Sequence, residues 1–191
     1  MAVTYVNRQS KTYYLHAAKT KKGNPKYYFA LASEGTLVDQ LPAGFEIYEH
    51  PTGQVTLRRA RPRLVTDDEL QLVSDALARV KAARWSYAER DLKTITVYVG
   101  HNGEALEDMF RYNKPLITQA ELDKSISQFV NYSAVFRFVL IDSGMRVFRA
   151  QRYCYLGSID DWVFIGRPDV LSELVRQYLP HIEQNSYYEL T

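Results

Sequence analysis

A single cysteine, Cys154, stands in 191 residues, so no intramolecular disulfide and no multi-cysteine metal site can form. It falls in the strand-like run Arg152-Tyr153-Cys154-Tyr155-Leu156, where a buried thiol acts as a small hydrophobe. Histidine is sparse too. His16, His50, His101 and His181 lie far apart, with no pair at metal-ligand spacing. The 9 glycines form no phosphate loop, dinucleotide fingerprint or nucleophile elbow. No segment approaches about 18 uninterrupted apolar residues, and Met1-Ala2-Val3-Thr4-Tyr5 opens no stretch of signal-peptide length. The expectation is a cytoplasmic chain without a membrane partner, bound metal or cofactor.

Hydrophobic residues make up 46% of the chain and charged ones 24%, the balance of a globular protein that folds alone. The aromatic set is unusual, with 15 Tyr against 8 Phe. Tyrosine supplies rigid, half-polar area suited to sheet surfaces and to interfaces. Charge is unevenly spread. The first 63 positions hold 10 basic and 4 acidic residues, whereas the remaining 128 hold 14 basic and 18 acidic ones. A near-neutral total of +2 therefore conceals a front end suited to approaching polyanions.

The order of signals predicts an α+β protein: N-terminal antiparallel β hairpins, then a mixed domain with antiparallel strands and about four helices. The expected division is a basic β-rich module over 1–63 and an α+β domain over 64–191. Thr12 to Ala18 and Lys26 to Leu31 flank the turn-rich Lys21-Lys22-Gly23-Asn24-Pro25 and read as a hairpin. Phe45 to Glu49 and Gln54 to Arg58, around Pro51-Thr52-Gly53, read as a second. Thr66 with Glu69, and Thr118 with Glu121, are capping boxes that open helices. The first helix should run to about Trp85 and carries Leu70, Val73, Leu77 and Val80 on one stripe. Lys93 to Val99 alternates as a strand, Glu104 to Tyr112 reads as a short helix, and strands return at 134–141, 145–156 and 161–165. A last helix is expected from Pro168, striped by Val170, Leu171, Leu174, Val175, Tyr178 and Ile182, and bent or ended by Pro180.

Strand alternation places Tyr13, Leu15 and Ala17 of the first hairpin with Tyr27, Phe29 and Leu31. With that set inward, Tyr14, His16, Lys26 and Tyr28 share the outer face, and Lys19, Lys21 and Lys22 cluster at the tip. Flat rings beside ammonium groups stack bases and neutralise phosphates. Arg58, Arg59 and Arg61 extend the basic surface, because arginine pairs well with phosphate oxygens. The same lysines also suit a hairpin kept soluble and kept from edge pairing.

In the late hairpin, Asp142-Ser143-Gly144 suits a three-residue loop closed by a left-handed glycine. That register opposes Arg137 and Arg149, and like charges opposed across strands call for an anion between them. Asp160 or Asp161 would supply it from a turn, or else a ligand phosphate or nucleic-acid backbone would. A two-residue loop would instead oppose Arg137 with Ala150. Tyr98, His101, Asn102 and Glu104 sit where a strand ends and a helix begins, a common place for active-site groups and equally for turn and cap residues.

The leading expectation is non-catalytic binding of nucleic acid or another polyanion through the basic hairpin. A metal-dependent enzyme on phosphate-containing substrates, using Asp160, Asp161, Glu104 and the arginine pair, is the second reading. A tyrosine-surfaced module that binds a protein partner or a second copy of itself is the third.

Overall fold

A computed structural model describes residues 2–191. The chain begins with β1 (Thr4–Val6), β2 (Thr12–Lys19), β3 (Pro25–Ala30), β4 (Phe45–Glu49) and β5 (Val55–Arg59). Next come α1 (Asp67–Leu77), β6 (Ser86–Asp91), β7 (Thr94–Gly100), α2 (Gly103–Asn113) and α3 (Gln119–Ser127). It ends with β8 (Tyr132–Asp142), β9 (Val147–Leu156), β10 (Ile159–Val170) and α4 (Leu171–Tyr178), with short 3-10 turns at Lys81–Ala83, Leu179–His181 and Asn185–Glu189. The fold is α+β, with antiparallel hairpins leading and four α-helices among the described residues. No helix among them is long and apolar enough to cross a membrane. Two compact units emerge: residues up to Arg61 with Asn102–Asn131, and Pro62–His101 with Tyr132–Thr191.

In the first unit β1, β2 and β3 form an antiparallel sheet in chain order, and β4 pairs with β5. The first hairpin closes with Leu15 facing Phe29, His16 facing Tyr28 and Ala18 facing Lys26, which keeps the expected face sets together. In the second, Ile47 faces Leu57 and Glu49 faces Val55. Leu15 and Val55 are buried in the cores of their sheets. Asn7, also buried, joins the hairpins: its amide donates to Gly53 O at 2.6 Å and its carbonyl accepts from the Lys11 backbone at 2.8 Å. The Thr118–Glu121 capping box opens α3, which buries Leu122 and Ile126.

The second unit is a five-stranded antiparallel sheet, order β10-β9-β8-β7-β6. Its inner face carries Ile95, Val97, Val99, Phe136, Phe138, Leu140, Phe148, Ala150 and Ile165, all buried in one cluster with Val73 and Leu77 of α1 and Leu171, Leu174, Val175 and Tyr178 of α4. Each Val, Leu, Ile or Phe side chain among them removed from water contributes about 1.5–3 kcal/mol. The Thr66–Glu69 capping box is closed, and Glu69 also takes two hydrogen bonds from the Arg146 guanidinium, which donates to Leu64 O as well. Burial by itself would raise the Glu69 pKa, but those bonds and the Thr66 backbone N–H hold it below the ordinary glutamate value.

Several expectations give way. Helix α1 stops at Leu77 rather than near Trp85, and Val80 is extended. The run 78–84 favours helix by propensity, but Trp85 O accepts Gly100 N at 2.7 Å, so the chain must turn to become β6. No local signal marks strand β6: its Ser86-Tyr87-Ala88-Glu89-Arg90-Asp91 lacks apolar alternation because it is an outer strand. Pro168 does not open the last helix. It lies in an irregular stretch of β10 between Ile165 and Asp169, where an outer strand needs no N–H, and α4 begins at Leu171. Val170 is accordingly exposed, while the rest of the expected stripe is buried. The helix ends before Pro180, as its missing N–H requires.

Candidate nucleic-acid interface

The tip of the first hairpin is a built turn. Thr20 N donates to Asn24 O and Gly23 N to Thr20 O, each at 2.8 Å, and Asn24 N donates to Thr20 Oγ1 at 3.1 Å. Gly23 occupies φ +83°, a region open to glycine at little cost. Lys19, Lys21, Lys22 and Lys26 radiate from this frame, all exposed. None of the four is in ion-pair contact with a carboxylate among the described residues. Their charge is left to solvent and to whatever anion approaches.

Beside them the alternation behaves as expected, with Tyr14, His16, Tyr28 and Lys26 on one face. That face is not open along its whole length. His16, expected outward, is only 4% exposed. The segment after β3 folds back along β2: Leu37 bridges to His16, Ala17 N donates to Thr36 O at 2.9 Å, and the His16 imidazole Nε2 hydrogen-bonds Ala32 O at 2.9 Å. Gly35 packs within 3.5 Å of the imidazole, counted from where its Cβ would stand. His16 is a structural residue. Its ring carries Tyr28 at 5.3 Å and 14° between planes, and Lys26 Nζ lies 6.0 Å from the Tyr28 centroid. Tyr28 is 41% exposed on the far side of that stack, and Tyr14 is half-buried.

Strand β3 lies close to β5, the strand that carries Arg58 and Arg59. Arg58 is committed: it is paired with Glu46 at 2.7 Å and stacked over Tyr48 at 4.2 Å. Arg59 and Arg61 are exposed. The glutamate pairings use up half of the acidic side chains of this front region, since Glu49 holds Arg8 in the same manner at 2.8 Å. The Glu46–Arg58 pairing depends on the register of β4 against β5, and the Arg8–Glu49 pairing on the packing of the β1–β2 turn against β4.

The late arginines take a different register from the expected one. A four-residue loop with Arg146, not Gly144, in the left-handed region shifts the pairing, so Arg137 faces Gln151 and Arg149 faces Val139. They remain on one face as diagonal neighbours. Asp160 and Asp161 lie in β10 rather than in a turn. Asp160 accepts the Tyr153 hydroxyl and Asp161 the Trp162 N–H, so neither forms an ion pair with the arginines. At the other strand end, His101 pairs with Glu183 at 3.3 Å. Asn102 does not cap α2 with its side chain; it clamps Phe129 O and Asn131 N, at 3.0 and 2.9 Å. Tyr98 stacks on Tyr87 at 4.9 Å, and Glu104 lies exposed in the first turn of α2. Among the described residues no three His, Cys, Asp or Glu side chains gather where they could hold a metal ion. Cys154 is buried, as a packing residue.

No protein-family profile matches the chain, and no solved structure does. A segment of 122 residues is 30% identical to Protein NETWORKED 1C of Arabidopsis thaliana, covering 60% of this chain and 11% of that protein. The similarity is thus confined to about a tenth of the curated relative's length.

Proposed function

We propose that this chain binds nucleic acid without catalysis, through the exposed Tyr28 ring and the lysines Lys19, Lys21, Lys22 and Lys26 of the first hairpin, with Arg59 and Arg61 at its flank. One observation carries the reading: four ammonium groups without carboxylate partners sit on a hydrogen-bonded turn beside an outward aromatic ring. Unpaired lysines gain most from phosphate, since no internal ion pair has to be broken first. An exposed ring beside them offers a stacking surface that tolerates any base. Arg58 and His16 leave the contact set, the first held by Glu46 and the second buried.

The test is retention on heparin and on immobilised single-stranded DNA. At low salt the protein should be retained, with release between about 0.2 and 0.5 M as counterions compete. Lys21→Glu with Lys22→Glu should abolish retention and lower the slope of log affinity against log salt by about 1.4 for single strands, or about 0.7 for each phosphate no longer neutralised. Both residues are exposed, so circular dichroism should be unchanged. Flow-through of the wild-type protein at low salt would remove the proposal.

A further inference from the structure

The sheet of the second unit has a face opposite its hydrophobic core, and β8, β9 and β10 place Arg137, Arg149, Gln151, Tyr153, Trp162 and Phe164 on it. Arg137 slants from β8 across β9 to a ring of β10, and Arg149 reaches from β9 itself to the next. The Arg137 guanidinium carbon lies 4.1 Å from the Trp162 centroid, and that of Arg149 lies 4.1 Å from the Phe164 centroid. Two cation–ring stacks thus run side by side, with Gln151 opposite Arg137 on one flank and opposite Phe164 on the other. Neither guanidinium is in ion-pair contact with a carboxylate, and neither donates a hydrogen bond to a protein acceptor, among the described residues. The Nε atoms of both are shut off from solvent without a partner. Asp161 and Tyr98 act on Arg137 through space alone.

Stacking satisfies the face of a guanidinium and leaves its in-plane N–H donors unspent. Two positive groups held together on a half-dry surface repel, and an interposed oxyanion relieves both the repulsion and the unmet donors. We infer that Arg137 and Arg149, backed by Trp162 and Phe164, form a binding site for a phosphoryl oxyanion. The fork of each arginine matches two oxygens of a tetrahedral anion, and the rings fix the forks before the anion arrives. This site is independent of the lysine hairpin.

The decisive measurement follows the arginine Nε–H and Trp162 indole N–H resonances of the full chain while inorganic phosphate is added, with sodium chloride titrated in parallel at matched ionic strength. Saturable shifts of the Arg137 and Arg149 signals at low-millimolar phosphate, absent with chloride, are expected. Arg149→Gln should weaken binding at least tenfold, and Lys21→Glu with Lys22→Glu should leave it unchanged. A nucleoside monophosphate run as a second arm separates the sources: tighter binding than phosphate marks a nucleotide, equal binding the free anion, and both support the site. Shifts that follow chloride equally, or equal affinity in an Arg137→Gln/Arg149→Gln protein, would overturn it. Because the wild-type resonances are read directly, the test survives a variant that fails to fold.

Discussion

Replacing Gly166 by alanine tests how β10 is fitted to α4. Gly166 lies at φ +56°, and a Cβ built there would stand 1.9 Å from the Tyr178 hydroxyl oxygen and 3.2 Å from its Cζ. Left-handed backbone costs a non-glycine residue about 1–2 kcal/mol. Tyr178 is 3% exposed and packs on Phe136, ring centroids 6.3 Å apart, so displacing it adds an overpacking cost of about 1–3 kcal/mol. The expected loss for Gly166→Ala is therefore about 2–5 kcal/mol. Trp85 and Trp162 both belong to the second unit, so tryptophan fluorescence in urea reports the unfolding of that unit alone. Tyr178→Phe removes the atom in conflict. Its hydroxyl makes no hydrogen bond among the described residues, so the single change should cost less than about 1 kcal/mol. In Gly166→Ala/Tyr178→Phe the overlap cost should be largely recovered, leaving the backbone cost of about 1–2 kcal/mol. A Gly166→Ala protein within about 0.5 kcal/mol of wild type, or strict additivity in the double variant, would refute the reasoning.

Further outcomes follow from single contacts. Because the folded Glu69 pKa is depressed, its contribution is present above the ordinary glutamate range and is lost as pH falls through the folded value. Glu69→Gln should flatten that acid-side decline in a urea-midpoint profile; an unchanged profile would exclude the Arg146 contact as its source. Burial pushes the Tyr187 phenol up to about 12, and its single hydroxyl proton is shared between Val135 O and Tyr153 O, each 2.9 Å away. Stability from Tyr187 is complete below the unfolded tyrosine value of about 10 and drains away as pH climbs towards the folded one. Tyr187→Phe should remove that alkaline loss in a pH-dependent unfolding series, and a Tyr187 phenol ionising with the exposed tyrosines would contradict the assignment.

Local signals carried much of the architecture. Both capping boxes, the alternation of Ile95, Val97 and Val99, and the stripe of α4 depend on neighbours within a few residues, so they were legible. What failed depended on partners distant in sequence. The identity of β6 is decided by β7, the outward or inward fate of His16 by residues 32–37, and the facing of Arg137 by the four-residue loop together with the irregularity between Leu140 and Asp142. Alternation placed Lys26 and Tyr28 on one face of the candidate interface, but the ion pair that removes Arg58 from it requires the β4–β5 register. The cation–ring stacks lay hidden for the same reason: Arg137 and Trp162 are 25 residues apart and meet only across an intervening strand.

The margins of the five-stranded sheet have a bearing on how this protein keeps company with itself. On one side, β10 breaks its ladder between Ile165 and Asp169, where Gly166 turns left-handed, its N–H is claimed by Thr191 O, and Pro168 has none to offer. On the other, β6 confronts a newcomer with Glu89, Arg90 and Asp91 in succession. The interruption on one rim and the charges on the other both work against edge-to-edge pairing with a stray chain, so concentrated stocks should resist strand-by-strand fibril growth.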